Sequence, residues 1–248
     1  MTIFSLKLDT QVTMKIKYSV NVSKKSRKLR DIKFVIIHYT GMQSKIESIK
    51  RLLSPKHKVS CHYLIDRSGG LLKMVDDNKT AWHSGKSKWK NFKNLNENSI
   101  GIELVNKGHK FGYENFTKIQ INSLVKVCLL LKKKYKIDQS NFIGHSDVAP
   151  LRKIDPGEKF PWEYLKRKKL GIWYSKTKKK IDIKEIRNLE KLFFSNLYKI
   201  GYRYFNKNKR NKKDFLIVEA FQRKFLPKNI TGIVDKKTYI ISHFLANN

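Results

Sequence analysis

The sequence predicts an α/β fold with a small three-helix bundle at its C-terminal end. Short apolar runs rich in β-branched residues, such as 34–37 and 100–105, are typical of buried strands. The stretch 117–135, in contrast, places its apolar residues along one stripe, as an amphipathic helix does. Strands that alternate with helices in this way indicate a sheet flanked by helices, over about residues 30–170.

Shorter elements fill the rest of this region. We expect a helix over 46–53, where apolar residues have helical spacing, and a short strand over 141–143. Residues 59–75 predict a hairpin, because two apolar runs flank the turn signal Gly69-Gly70. The sequence Ala81-Trp82-His83-Ser84-Gly85 is predicted to be a loop.

The N-terminal end is basic. We expect residues 1–30 to form a peripheral extension, with one strand near 15–22 and a solvated turn at the charged run 24–28. The predicted sheet domain then occupies residues 31–175.

A lysine-rich break precedes the C-terminal segment. The run 176–182 predicts a basic linker, because like charges repel one another and stay solvated. Apolar residues return at helical spacing in three stretches of 183–248, and Asp235 is predicted to be the N-cap of the third helix. We expect these helices to hold a small core of their own, so that truncation after Lys176 would leave the sheet domain intact.

Charge limits the classes of partner. The 248 residues include 55 Lys and Arg against 20 Asp and Glu, for a formal net charge of +35. Such a chain favours polyanions. Nucleic acid is one candidate, although no nucleic-acid recognition motif accompanies the charge. A bacterial cell envelope, with its phosphates and carboxylates, is the other.

Cysteines and apolar runs exclude further classes. Two cysteines, Cys61 and Cys128, are too few for a multi-disulfide scaffold, and Cys128 lies in an apolar run that predicts burial. A single disulfide between them remains open. No apolar run is long enough to cross a membrane, and residues 1–24 lack the apolar core of a signal peptide. The export route, if any, is left open.

Candidate metal ligands lie at two distant places. His38 ends the apolar strand 34–37, where α/β sheets often place ligand-binding groups. His145 and Asp155 lie in the loop 144–157, which Pro150 and Pro156 keep from being one continuous helix. Imidazole nitrogen and carboxylate oxygen are good ligands for first-row metals.

Five separated motifs together resemble the zinc-dependent N-acetylmuramoyl-L-alanine amidase family, type 2. The motifs are Ile37-His38-Tyr39-Thr40, Ser60-Cys61-His62-Tyr63-Leu64-Ile65, Ala81-Trp82-His83-Ser84-Gly85, Ser99-Ile100-Gly101-Ile102-Glu103, and the loop from Gly144 through Trp162. The resemblance implies a central mixed sheet flanked by helices, as in peptidoglycan-recognition proteins. It also implies hydrolysis of the amide between the lactyl group of N-acetylmuramic acid and L-alanine in peptidoglycan or muropeptides.

The same resemblance implies roles for individual residues. His38, His145 and Asp155 would bind one zinc ion per chain and leave a fourth position open. Glu103 would be the catalytic base and Lys153 a cation beside the oxyanion. Aspartate at 155, rather than cysteine, fits the bacterial branch of the family.

Other polar residues of the motifs are candidates for substrate contacts: His62, Trp82, His83 and Arg152. For His62 a core position or a position behind the metal ligands is the alternative. Cys61 is taken as structural, and His57, His109 and His243 as surface residues.

The C-terminal segment resembles a helical peptidoglycan-binding domain in its Phe221-Gln222 and Thr231–Asp235 patterns. This favours an envelope or secreted enzyme that acts on the polymer. A cytoplasmic recycling amidase for soluble anhydro-muropeptides is the alternative. The lack of a recognisable signal peptide in residues 1–24 favours this alternative. A non-catalytic peptidoglycan-binding protein and a basic nucleic-acid-binding protein are the alternatives of another class.

Overall fold

A computed structural model describes residues 3–4, 14–175 and 188–247, with only the backbone described at 3–4. The predicted linker 176–182 lies entirely outside these ranges, as do Ile183 and Ile186 of the first C-terminal helical stretch. Residues 176–187 therefore keep their sequence-based assignment as a prediction.

The described strands form one large sheet and a small ribbon. The strands are β1 (Ile3–Phe4), β2 (Met14–Ile16), β3 (Phe34–Tyr39), β4 (Tyr63–Ile65), β5 (Leu71–Lys73), β6 (Lys88–Trp89), β7 (Phe92–Lys93), β8 (Ser99–Leu104) and β9 (Phe142–Gly144). Their order in the large sheet is β1-β2-β5-β4-β8-β3-β9, and β6 pairs with β7. Within the large sheet, the pairs β1/β2 and β4/β5 are antiparallel and the other pairs are parallel, so this sheet is mixed, as the resemblance implied.

Seven α-helices accompany these strands in the part of the chain that the structure describes. They are α1 (Lys45–Leu53), α2 (Lys118–Tyr135), α3 (His145–Val148), α4 (Trp162–Arg167), α5 (Leu189–Ile200), α6 (Asp214–Phe225) and α7 (Lys236–Asn247). The predicted helices at 46–53 and 117–135 and the hairpin at 59–75 are confirmed. The strand expected near 15–22 is shorter, because only Met14–Ile16 pairs with β5. The loop after β9 begins with one helical turn, α3, which the sequence did not predict.

The two faces of strand β3 have different neighbours. Val35 and Ile37 pack with α2 and α4 in one apolar cluster. Phe34 and Ile36 point the other way, because side chains alternate along a strand, and they pack with residues of α5 and α6. His38 follows in the same alternation and lies on the face of Phe34 and Ile36.

The C-terminal helices share this second cluster with the sheet domain. Ile143, Val148 and Trp89 of the sheet domain pack with Phe193 and Phe221 of the helices. The expectation that the bundle holds a core of its own is therefore wrong. Its large aromatic side chains face the sheet because the sheet presents the apolar surface that three short helices lack.

Within the helical segment, Gln222 organises the connection between α6 and α7. The buried side chain donates to Thr231 Oγ1, Ile233 O and Thr238 Oγ1, and its oxygen accepts from the backbone of Thr231 and Gly232. Asp235 accepts from the Thr238 N–H at 2.7 Å, which confirms the predicted N-cap.

The segment 14–31 is not peripheral, which corrects the expectation for the N-terminal extension. The side chain of Arg27, unlike those of its charged neighbours, is partly buried. Its guanidinium donates to Ser99 O at 2.7 Å and Asp77 O at 2.9 Å. Asn21 is buried and donates to Ser54 O and Val59 O. These contacts tie the segment to the start of β8, to the loop after β5 and to the connection between α1 and β4.

Both cysteines are buried and free, so the disulfide that the sequence left open does not form in this structure. Burial raises the pKa of both thiols above the ordinary value, which keeps them protonated and inert. Among the described helices, none is both long and apolar enough to cross a bilayer.

Candidate metal centre

Strand register brings the first two site residues together. β3 and β8 run parallel, and His38 pairs directly with Glu103. Paired residues of neighbouring strands project to the same face of a sheet. On the other side of β3, β9 ends at Gly144 and delivers His145 at the start of α3. The Ser146 N–H then donates to Asp155 O at 2.9 Å, which closes the loop and returns Asp155 to the strand ends.

Three ligand atoms converge beyond these strand ends. His38 Nδ1 lies 2.9 Å from His145 Nδ1, and Asp155 Oδ2 lies 3.1 Å and 3.0 Å from the two nitrogens. All three side chains are buried. A buried cluster of two imidazoles and a carboxylate fits a divalent metal, and this is the predicted ligand set.

Hydrogen bonds fix the imidazole tautomers that metal binding needs. Ser99 Oγ donates to Leu95 O, so it accepts from His83 Nε2 at 3.2 Å. His83 Nδ1 then carries a lone pair and accepts from His38 Nε2 at 3.0 Å. The lone pair of His38 is left on Nδ1, which faces the cluster. Metal-binding histidines usually have such a hydrogen-bond partner behind the nitrogen that does not face the metal.

His145 is oriented by a backbone carbonyl. Its Nε2 lies 3.2 Å from Ser84 O and donates to it, which leaves Nδ1 free for a metal. Arg152 holds the same carbonyl and donates to Lys86 O at 2.9 Å. The loop before β6 is thereby fastened to the loop that carries the ligands.

Gly101 provides the room for His83. A Cβ at position 101 would lie 2.4 Å from His83 Cγ, which is far inside contact distance. The glycine of the β8 motif is therefore required by the approach of the imidazole that supports His38.

The electrostatics suit a cationic ligand. Burial lowers the pKa of His38 from 6.5 to about 4, with the nearby His145 adding to the effect, so the imidazole is neutral at pH 7. Burial alone would raise the pKa of Asp155, but His145 and His38 hold it well below its ordinary value. Neutral imidazole and ionised carboxylate are the forms that bind metal.

Glu103 has the opposite perturbation. Its pKa is raised from 4.5 to about 8, mainly by burial and in part by Asp155, while Lys153 opposes the rise. Its Oε2 is buried with no hydrogen-bond partner among the described residues. A raised pKa and an unpartnered oxygen that faces a cavity are features of a proton-transferring carboxyl group.

The ligands and Glu103 line a cavity of about 540 Å³. Trp82, His83, Arg152 and Lys153 are also in its wall, and α1 closes the opposite side with Ser48, Arg51 and Leu52. His62 is not in the wall. It is fully buried, and Nε2 lies 2.8 Å from Arg27 Nη2, so the suggested substrate contact is corrected to a position behind the cavity.

The geometry places two further histidines. His83 reaches the cavity, but its nitrogens are used by His38 and Ser99, so its main contact is with a candidate metal ligand rather than with substrate. His109 is exposed, as predicted, and it stacks on Tyr113 and pairs with Glu158 at 3.0 Å.

Sequence reasoning missed the support of the ligand loop from the C-terminal helices. Asp147, two residues after His145, accepts from Tyr202 Oη at 2.5 Å and Lys224 Nζ at 2.6 Å. Its carboxylate also accepts from the Gly144 N–H at 2.7 Å. No motif signals these pairs, since Tyr202 and Lys224 are 55 and 77 residues away.

The α/β sheet thus carries, at its strand ends, a His-His-Asp cluster that could hold a metal ion. The chain belongs to the N-acetylmuramoyl-L-alanine amidase family, whose model matches residues 28–158. A relative, the N-acetylmuramoyl-L-alanine amidase AmiD of Escherichia coli K12, is 36% identical over 154 residues, 57% of this chain and 55% of its own length. The 1,6-anhydro-N-acetylmuramyl-L-alanine amidase AmpD of Haemophilus influenzae is 33% identical over 54% of this chain and 80% of its own.

The solved structures extend the similarity beyond the family region. E. coli AmiD in complex with anhydro-N-acetylmuramic acid-L-Ala-D-γ-Glu-L-Lys matches with a TM-score of 0.76 at 27% identity. The match covers 90% of this chain and 91% of that one. The helices after residue 188 therefore belong to the shared architecture.

Proposed function

We propose that this protein hydrolyses the amide bond between the lactyl group of N-acetylmuramic acid and L-alanine in muropeptides or peptidoglycan. The observation that carries the proposal is the set His38, His145 and Asp155 around one point, with Glu103 paired to His38 on the neighbouring strand. Family membership and the activities named for the relatives support the choice of bond.

Zinc is the proposed metal. The three donors are two nitrogens and one oxygen, each with its lone pair freed by a hydrogen bond or by ionisation, and this donor set fits a catalytic zinc site. A zinc ion bound there supplies a Lewis acid that polarises the amide carbonyl and lowers the pKa of water.

The protein's own groups carry the protons and charge. In the ionised form, which a bound cation would favour, Glu103 accepts a proton from the attacking water and delivers it to the leaving nitrogen of L-alanine. Lys153 lies in the same cavity wall and opposes the negative charge that develops on the carbonyl oxygen. The cavity, of about 540 Å³, has the size of a site for a small ligand.

The anionic bacterial cell envelope is the proposed setting, as periplasmic or secreted protein, because the chain carries a formal net charge of +35. The alternative is cytoplasmic recycling of soluble anhydro-muropeptides, the substrate class named for the AmpD relative. Digestion of purified sacculi beside soluble anhydro-muropeptide, followed by mass spectrometry, distinguishes the two.

Metal content and hydrolysis together test the function. The purified protein is expected to contain one zinc per chain, to lose activity with a chelator and to regain it with zinc. His145→Ala is expected to lose zinc, whereas Glu103→Gln is expected to keep zinc and lose about 10²–10⁴-fold in kcat. Zinc-loaded protein that binds muropeptide without cleaving it would instead establish a non-catalytic binding module.

A further inference from the structure

A cavity larger than the one at the metal ligands lies between the sheet domain and the C-terminal helices. Its volume is about 900 Å³, and its walls are the β6–β7 ribbon, Leu151 and the segment 198–214. Cations dominate the walls; they include Lys88, Lys90, Lys93, Arg203, Lys209 and Lys213. We call this cavity the basic cleft.

The charge of the basic cleft is not balanced from within. Its one acidic wall residue, Asp214, is already paired with Arg210 at 3.5 Å. Lys93, Lys209 and Lys213 are exposed and form no ion pair with any residue that the structure describes. Several like charges around one cavity create a strong positive potential, which an anionic ligand relieves.

The basic cleft adjoins the metal cavity. Leu151 lines the cleft, while the next two residues, Arg152 and Lys153, line the metal cavity. The two cavities therefore meet at one turn of the chain, residues 151–153. The peptide bound in the related AmiD structure carries a negative charge of the kind that a basic cleft binds, because its γ-linked glutamate retains a free carboxylate.

The aromatic rings of the cleft argue against nucleic acid. Arg203 and Lys207 lie 3.7 Å and 3.5 Å from the ring centre of Tyr198, and Lys88 lies 5.3 Å from that of Tyr204. Single-stranded nucleic acids bind largely by stacking bases on open aromatic faces. At Tyr198 and Tyr204 the protein's own cations occupy ring faces, and the rings hold the cations in place.

We propose that the basic cleft is a second substrate-binding site, which binds the peptide carboxylates of a neighbouring repeat of the same peptidoglycan polymer. The inference rests on the proposed function, and it extends the amidase from one scissile bond to recognition of a longer stretch of polymer. The two sites, linked through one turn, would give the polymer a higher effective concentration at the metal site.

Two triple variants with matched charge test the proposal. Lys93→Gln/Lys209→Gln/Lys213→Gln removes three exposed cleft cations. Lys126→Gln/Lys133→Gln/Lys166→Gln removes three exposed lysines of α2 and α4 and lowers the net charge equally. The first readout is kcat/KM on sacculi divided by kcat/KM on a short soluble muropeptide. The cleft variant is expected to lower this ratio on the order of tenfold, and the α2/α4 variant to leave it unchanged.

Binding assays identify the ligand chemistry. In a Glu103→Gln background, sedimentation is measured with native sacculi, with sacculi whose carboxyl groups have been amidated, and with a DNA duplex. We expect the parent to sediment more strongly than the cleft variant with native sacculi only, and equally with amidated sacculi and with DNA.

Equal binding of native sacculi by both triple variants would overturn the proposal. So would a cleft effect that survives amidation, or one seen with DNA alone. Absence of hydrolysis of the soluble muropeptide by the zinc-loaded parent would instead overturn the proposed function, whatever the cleft variant does.

Discussion

Lys224 Nζ and Asp147 Oδ2 form an ion pair of 2.6 Å between the C-terminal helix α6 and the loop of metal ligands. Both side chains are almost completely shielded from solvent, with 4% and 0% exposed. Tyr202 completes the carboxylate's partners from the same side. The helices thus hold the residue two positions after His145.

Loss of this pair is expected to weaken both fold and metal binding. Lys224→Met keeps the length of the side chain but leaves the Asp147 carboxylate buried without its cation. Removing one partner of a buried pair costs about 3–5 kcal/mol. Urea unfolding with chelator measures the free energy of unfolding, and zinc competition with a chromophoric chelator measures affinity.

The exposed Lys228→Met is the matched control, and its free energy of unfolding should change by less than about 0.5 kcal/mol. Adding Asp147→Asn to Lys224→Met should recover part of the loss, since the unpaired charge is gone. If Lys224→Met unfolds like the control, the ion pair does not support the loop.

Truncation after Lys176 is expected to abolish zinc binding and hydrolysis of even a short soluble muropeptide. It would expose Phe34, Ile36 and Ile143, whose burial against the helices contributes about 1.5–3 kcal/mol each. Circular dichroism, gel filtration and zinc content check this. A soluble truncated protein with full zinc content would show that the sheet domain stands alone, as the sequence had suggested.

Gly101→Ala is expected to reduce zinc affinity about 10–100-fold, the usual effect of losing an outer-shell partner. The new methyl group would displace His83 and remove the acceptor from His38 Nε2. His83→Ala should have a similar effect, and the double variant should lose little more, because both changes break the same bond. If the losses of zinc affinity of the two single variants added up in the double variant, the proposed hydrogen-bond series from His83 to His38 would be contradicted.

The zinc-free protein should reveal the raised pKa of Glu103 through its stability. The folded protein holds this proton up to about pH 8, whereas the unfolded chain releases it near 4.5. The folded state therefore binds more protons over this window, and the contribution of Glu103 to stability falls as pH rises from 4.5 to 8. Consequently Glu103→Gln should be more stabilising at pH 8 than at pH 5.

The comparison of the two proteins is essential, because the buried histidines act in the opposite direction. Burial lowers the pKa values of His38, His62 and His83, so these residues add stability as pH rises through 6.5. Their contribution cancels in the difference between parent and Glu103→Gln, measured by urea unfolding with chelator. A pH-independent difference would mean that Glu103 titrates normally.

The sequence was sufficient for the parts of the fold and site that depend on local pattern. The strand 34–37, the helix 117–135 and the convergence of His38, His145 and Asp155 were predicted and are confirmed. Strand periodicity and motif spacing carry that information, because register follows from which face is buried.

The features that the sequence did not predict depend on partners that are distant in the chain. Arg27 looked like one cation of a solvated run, yet its guanidinium supports the start of β8 and the loop after β5. The bundle looked self-sufficient, because helical periodicity shows that a face is apolar and does not show what covers it. Burial of a charged residue is decided by its partners, and these are not local.

The direct pairing of His38 with Glu103 divides the active site into a rigid half and an adjustable half. On neighbouring parallel strands these two residues stay at the fixed strand spacing of about 4.8 Å, whatever happens in the loops. His145, Lys153 and Asp155 lie on the loop that α6 and Tyr202 secure from behind. We therefore expect changes in the helices to act on the candidate ligands of this loop, while the spacing between His38 and Glu103 stays constant.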